Sequence, residues 1–140
     1  MQSSLVEAYR RTTYAADTPR GRLALRIGEA SAELDSLLAS LGVRSWAYVT
    51  AWNPGSVQRG DKENERRQRE LVATVATCGL TAYAGEGIGN DGRWPSEPSL
   101  LILGIARVQA IELGRQFGQV AIVYGERGAP AELALCAKGD

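Results

Sequence analysis

"RLALRIGEASAELDSLLASLGVRSWAYVTAWNPGS", residues Arg22 to Ser56, reads as strand, helix, strand and break. Leu23, Leu25 and Ile27 alternate with Arg22, Ala24 and Arg26, the period of a strand buried on one face. Gly28 ends that run, and Ser31 stands where a helix N-cap belongs. Leu34, Leu37, Leu38 and Leu41 make one apolar stripe, and Gly42 stands where helices stop. Trp46 to Trp52 is mostly apolar without clean alternation, which predicts a central strand buried on both faces. A short helix joining two strands predicts that they run parallel. Asn53-Pro54-Gly55 then breaks the chain. A plain turn needs Pro and Gly, but it does not need Trp52 and Asn53 ahead of them.

On the N-terminal side, Ser4-Leu5-Val6-Glu7 fits a capping box and predicts a short helix to about Thr12. Asp17 to Gly21 reads as a turn. Beyond the break, Asp61 is placed to cap a long helix to about Cys78, followed by a weaker strand from Leu80 to Gly85. Gly85 to Pro98 reads as a loop rich in Gly and Pro, and Ser99 to Gly104 as a second central strand. A helix from about Ile105 to Phe117, a strand from Val120 to Tyr124 and an edge strand from Glu132 to Cys136 complete the chain. The expectation is an α/β (or α+β) fold, a single domain over residues 1–140. It has one mixed, mostly parallel sheet of about five to six strands, packed with three main helices plus a short N-terminal helix.

Composition narrows the chemistry. Sixteen basic residues balance sixteen acidic ones, so nothing global draws the chain to nucleic acid or to an anionic membrane. No apolar run approaches the ~20 residues that span a bilayer, and Met1-Gln2-Ser3-Ser4 lacks the pattern of a signal peptide. Cys78 and Cys136 read as two small buried thiols of a cytoplasmic protein. There is no histidine, which removes the usual proton shuttle and any zinc site built on imidazole. Acid-base work would fall to Asp, Glu, Lys, Tyr, Cys or water.

Several residues exceed what a bare fold requires. Stepping back by three or four from Leu71 on the long helix reaches Arg67 and Gln68, then Asn64. The buried stripe therefore becomes polar toward the helix start, which either overhangs into solvent or faces a polar corner. Arg59 to Glu70 mixes both signs of charge, the pattern of a solvated face rather than of a nucleic-acid track. Gly87, Gly89 and Gly92 match G-x-G-x-x-G, but Arg93-Trp94-Pro95 follows where a dinucleotide site needs a helix. Glu86 and Glu97 bracket this loop and are the candidate acid-base pair; no metal site is assigned. Trp94, between Gly and Pro residues, must pack or stack on something.

The stretches "AYRRTTY" (Ala8–Tyr14), "LRIG" (Leu25–Gly28), "VTAWNPGS" (Val49–Ser56) and "ENERRQREL" (Glu63–Leu71) occur in that order. "GEGIGNDGRWPSEPSLLILG" (Gly85–Gly104) and "FGQVAIVYG" (Phe117–Gly125) follow. With these motifs the chain resembles the bacterial domain-of-unknown-function 3293 family over nearly its whole length. The resemblance implies a small bacterial protein and no particular reaction. It marks Trp52, Asn53, Asn64, Arg67, Trp94, Glu97 and Gln119 as matching the family's pattern. It departs after Trp94-Pro95, where the family carries an acid directly and this chain carries Ser96 before Glu97.

Parallel strands would bring Arg26 and Asn53 to one edge of the sheet, overlooked by Asn64 and Arg67. The expected function is binding of a small anionic or nucleotide-like molecule, or a carboxylate-dependent enzyme acting on one. Arg26 and Arg67 would meet negative charge, Asn53 and Asn64 would donate and accept oriented bonds, and Trp52 or Trp94 would stack. Glu86 or Glu97 would carry any proton transfer. The alternative is a non-enzymatic regulatory or protein-interaction module in which the same polar groups hold loops together.

Overall fold

A computed structural model describes residues 3–90 and 95–136. Helix α1 (Ser3–Arg11) is followed by strands β1 (Thr13–Thr18) and β2 (Gly21–Leu25), helix α2 (Ala32–Ser40) and strand β3 (Ser45–Val49). Helix α3 (Asp61–Thr77), strands β4 (Thr81–Ile88) and β5 (Glu97–Leu103), helix α4 (Arg107–Gln116) and strands β6 (Ala121–Glu126) and β7 (Glu132–Leu135) come after. The seven strands form one sheet in the order β2-β1-β4-β5-β3-β6-β7.

Every neighbouring pair in that sheet is antiparallel. This corrects the expected mostly parallel sheet of five to six strands. The reason is specific. α2 joins β2 to β3, and the alternation along the sheet does leave these two strands pointing the same way. But β1, β4 and β5 lie between them. α3 likewise joins β3 to β4 across β5, and α4 joins β5 to β6 across β3. A crossover helix fixes strand direction; it does not make the two strands neighbours. Each gap is filled by an antiparallel strand.

Two strands differ from the sequence expectation. β1 lies mostly between the expected helix, to about Thr12, and the expected turn from Asp17, where no element is expected because its Ala15-Ala16-Asp17 core has weak strand preference. It forms because β2 and β4 pair with it on both sides. β4 runs on through Gly85 to Ile88, so the start of the expected Gly85–Pro98 loop is strand. The sheet also curls. Ile27, just past β2, makes a parallel bridge to Ala131, just before β7, so the two edge strands touch. The amide of Gly28 donates to Ala131 O at 2.8 Å, and that of Ala131 to Glu29 O at 3.0 Å.

Residues directly opposite in antiparallel strands share a face. The convex face carries Ala47, Val49, Leu100, Ile102 and Ile122 against Leu71 and Val75 of α3 and Ala110 and Leu113 of α4. The concave face carries Trp46, Tyr48, Leu101, Leu103 and Val123, packed on Leu34, Leu37 and Leu38 of α2. Ser31 caps α2 as expected, accepting from the Leu34 amide at 3.2 Å. α3 begins at Asp61, but its N-cap is Gly60 and no side chain caps it.

Candidate functional site

The concave face changes character along its strands. At the α2 end it is filled by Trp46, Leu101 and Leu103. Toward the other end the same face presents Thr50 on β3's exit, Ser99 and Glu97 on β5, Gly85 and Gly87 on β4, and Ala121 on β6. Small and polar side chains do not fill the curl, and a cavity of about 440 Å³ opens there beneath α1. Its wall includes Tyr9, Tyr14, Tyr48, Trp52, Glu97 and Gln119. That volume falls within the usual span of small-molecule sites.

Gly85 shapes the wall. A Cβ there would stand against the carbonyl oxygen of Ala15 and 2.9 Å from the Tyr48 hydroxyl. That hydroxyl crosses the concave face to donate to Ala15 O at 2.6 Å. The Tyr14 and Tyr48 rings meet edge to face at 5.2 Å, the arrangement aromatic pairs favour. Burial pushes all three cavity tyrosines, Tyr9, Tyr14 and Tyr48, above the ordinary phenol value. They stay neutral.

The corner after β3 is built from amides. Asn53 is left-handed at φ 47° and ψ 64°, a conformation that asparagine tolerates better than most residues. Its backbone N–H donates to Asn64 Oδ1 at 2.9 Å, and Asn64 Nδ2 donates back to Asn53 Oδ1 at 2.9 Å. The Arg59 N–H also donates to Asn53 Oδ1, at 2.9 Å. Asn64 Nδ2 reaches Arg59 O at 3.3 Å as well. Backbone groups therefore fix which end of each amide is oxygen. Only Asn53 Nδ2 is left, and it donates to Glu97 Oε2 at 3.0 Å. Gln68 Oε1 accepts from the Ala51 N–H at 3.1 Å, and Gly55 N–H donates to Gly118 O at 2.7 Å. The first turns of α3 thus face a filled polar knot: Asn64 is 1% exposed.

Glu97 is half-buried at the junction of knot and cavity. Burial raises its carboxyl above the ordinary 4.5, and the Asn53 amide pulls the other way. Glu86 is elsewhere. In the β4–β5 register Glu97 stands opposite Gly87 while Glu86 stands opposite Pro98, so the two carboxylates point to opposite faces of the sheet. Glu86 lies 3.3 Å from Arg22 on the outer surface. The Ser96 hydroxyl and that guanidinium hold it below its ordinary value.

The remaining candidates separate in the same way. Trp52 is half-buried on the cavity wall, its carbonyl accepting from Gln119 Nε2 at 3.2 Å. Arg26 and Asn53 do leave the same end of the sheet, but three strands lie between them. Arg26 clasps the α1–β1 junction, donating to Thr13 Oγ1 at 3.1 Å and Arg10 O at 3.4 Å. Arg67 lies against Gly118, with Nη2 3.6 Å from where a Cβ on that glycine would stand. Its buried Nε has no hydrogen-bond partner among the described residues. Neither arginine borders the cavity. Trp94 lies outside the described residues.

Among the described residues, no three His, Cys, Asp or Glu gather as metal ligands. Both cysteines are free; Cys136 is buried, but Cys78 is exposed where a buried thiol was expected. No helix among the described residues is long and apolar enough to cross a membrane.

The cavity tyrosines, Thr50 and Ser99 were not singled out from the sequence. A period-two reading of β5, with Glu97, Ser99, Leu101 and Leu103 on one face, carried a signal for Ser99. On the N-terminal helix the stripe of Leu5, Val6 and Tyr9 does turn Tyr9 inward, but nothing local pointed to Tyr14 or Tyr48.

A family model described as "Protein of unknown function (DUF3293)" matches residues 49–122, more than half of the 140-residue chain. The chain belongs to the DUF3293 family. No curated protein and no solved structure matches it. The matched DUF3293 segment holds the whole amide knot, Glu97 and Gln119. Tyr9, Tyr14 and Tyr48 of the cavity wall lie outside that segment, and only Tyr48 adjoins it.

Proposed function

We propose that this DUF3293 chain binds a small molecule in the cavity beneath α1, with Glu97 as its polar anchor. The observation that carries the reading is the Asn53–Glu97 bond of 3.0 Å at the wall of a 440 Å³ cavity. An amide whose orientation backbone groups dictate holds one oxygen of a carboxylate that lines the cavity, and the other oxygen has no partner among the described residues. Fixing a half-buried carboxylate is costly, and a plain turn has no need of it. Trp52 and the tyrosines offer flat apolar surface for the body of a ligand, such as the base of a nucleotide-like molecule. Any proton transfer would fall to Glu97 alone, because Glu86 faces away. The anionic part of the expectation leaned on Arg26 and Arg67, which stand away from the cavity, and the proposal does not rest on them. The two free thiols suit a reducing compartment, and a bacterial cytoplasmic setting is part of the proposal.

A non-enzymatic interaction module is the second reading, favoured by one observation. Asn53, Asn64 and Gln68 direct their bonds to protein groups, as loop-holding residues would. The readings part on amide shift mapping with nucleosides, sugars, amines and carboxylic acids. Binding in the cavity should move Trp52, Gly87 and Gln119 together. Compounds that move only outer-surface resonances, or none at all, would sink the binding reading.

A further inference from the structure

Most side-chain protons on the cavity wall are already committed. Tyr14 donates to Tyr9 O at 2.8 Å, Tyr48 to Ala15 O at 2.6 Å and Thr50 to Pro98 O at 2.7 Å. Ser99 donates to Glu97 O at 2.9 Å and Thr12 to Ala8 O at 2.8 Å. Gln119 Nε2 is shared between Trp52 O and Phe117 O, and Asn53 Nδ2 goes to Glu97. A hydroxyl whose proton is held by a backbone carbonyl can offer a ligand only its lone pairs. Gln119 Oε1 and Glu97 Oε1, with no partner among the described residues, are acceptors as well. Two side-chain donors of the lining are not committed to any described residue, the Trp52 indole N–H and the Asn90 amide. The others are at the rim. There the Tyr9 and Ser56 hydroxyls face each other, and Arg11 is exposed and paired with Glu7 at 3.1 Å.

A wall of acceptors around one carboxylate suits a particular partner. An anion would meet lone pairs and a negative charge with no cation of the inner wall to answer it. A molecule that brings its own N–H donors and a positive charge would meet complementary groups at Glu97, at Gln119 Oε1 and at the committed hydroxyls. It would also find aromatic ring faces, as distinct from the donor edge of Trp52, at Tyr9 and Trp52 that attract cations. From this we infer that the cavity is selective for a small organic cation bearing N–H donors on a flat body, of the amidine, guanidine or amino-heterocycle class, with its charged head on Glu97 Oε1. The inference rests on the cavity reading proposed above and specifies its ligand.

Three probes sharing one ring and differing in the head group test it: benzamidine, benzamide and benzoate. Each is titrated into the full chain, wild type, Glu97→Gln and Glu97→Asp, and followed by amide shifts. In the wild type, benzamidine should move the Trp52 and Gln119 resonances at a concentration about tenfold below that needed for benzoate, a 1.4 kcal/mol preference. Glu97→Gln should erase that preference, and Glu97→Asp should keep part of it. If Glu97→Gln does not fold, the wild-type ranking and Glu97→Asp still decide. Benzoate or benzamide binding in the cavity as tightly as benzamidine overturns the cation assignment and leaves the cavity reading standing. A preference for benzamidine that survives Glu97→Gln overturns the role given to Glu97. Silence at the cavity from all three probes overturns both readings.

Discussion

Asn53 and Glu97 are 44 residues apart in sequence and joined by one hydrogen bond, Nδ2 to Oε2, of 3.0 Å. The bond ties the turn that leaves β3 to the first residue of β5. Its direction is not free, because the Asn53 side-chain oxygen is already taken by Arg59 N–H and Asn64 Nδ2.

Asn53→Asp keeps an acceptor for the Arg59 amide and tolerates the left-handed backbone, but it replaces the donor facing Glu97 with a second carboxylate. Two carboxylates this close cannot both ionise cheaply. The variant should approach wild-type stability near pH 4, where one of the pair holds a proton. Near pH 7 it should lose about 2 kcal/mol, the scale of a bond to a charged group. Urea unfolding at the two pH values checks this; a loss that does not grow with pH would mean the pair is not in contact.

Asn64→Ala removes the acceptor for the Asn53 amide and the donor to Asn53 Oδ1 from a fully buried position. Leaving buried polar groups unpaired should cost about 2–3 kcal/mol in chemical denaturation. A change under about 0.5 kcal/mol, the size of an ordinary surface substitution, would show that water replaces the amide and that the knot is not closed.

Gly85 and Gly87 alternate with Glu86 on β4, yet their surroundings differ. A methyl at Gly85 would press on the Ala15 carbonyl and the Tyr48 hydroxyl, whereas at Gly87 the nearest atom is Thr12 Cγ2 at 3.8 Å. Gly85→Ala should therefore destabilise by about 1–3 kcal/mol through overpacking. Gly87→Ala should be tolerated. Equal melting temperatures for the two variants would contradict the close approach of Tyr48 to β1.

Burial raises the folded-state pKa of Glu97 above its ordinary 4.5, so the folded protein holds this proton more firmly than the unfolded chain. The resulting contribution to stability is fully present below the unfolded value. It is lost as pH rises through the folded one. Glu97→Gln has no such proton to lose. Its melting temperature relative to wild type should rise between pH 4 and pH 7.5. A relative melting temperature that falls over that range would mean that the charged form of Glu97 is the stabilised one.

Local periodicity made much of this corner legible. Counting back from Leu71 placed Asn64 on the buried stripe of α3, facing the exit of β3, and Asn64 does bond Asn53 there. Pro54 and Gly55 marked the break, and α2, α4 and the central strands follow their apolar patterns. Strand neighbourhood was not legible, because β2 and β3 run the same way whether or not other strands stand between them. That choice depends on long-range pairing. The separation of the two carboxylates was not legible for a related reason. Taking Gly85–Ile88 as loop hid the period of two that sends Glu86 to the outer face. The cavity itself follows from an absence of bulk at Gly85, Gly87, Ser99 and Ala121, on three strands whose register only the folded sheet defines.

The most direct measurement is a carbon-detected NMR titration of the Glu97 side-chain carboxyl in the 140-residue chain. A midpoint above 4.5, lifted further in Asn53→Asp, is the result expected of a carboxylate buried at the cavity wall and held by Asn53. A midpoint at or below 4.5 that is indifferent to Asn53 would place Glu97 in solvent and remove the anchor of the proposed site.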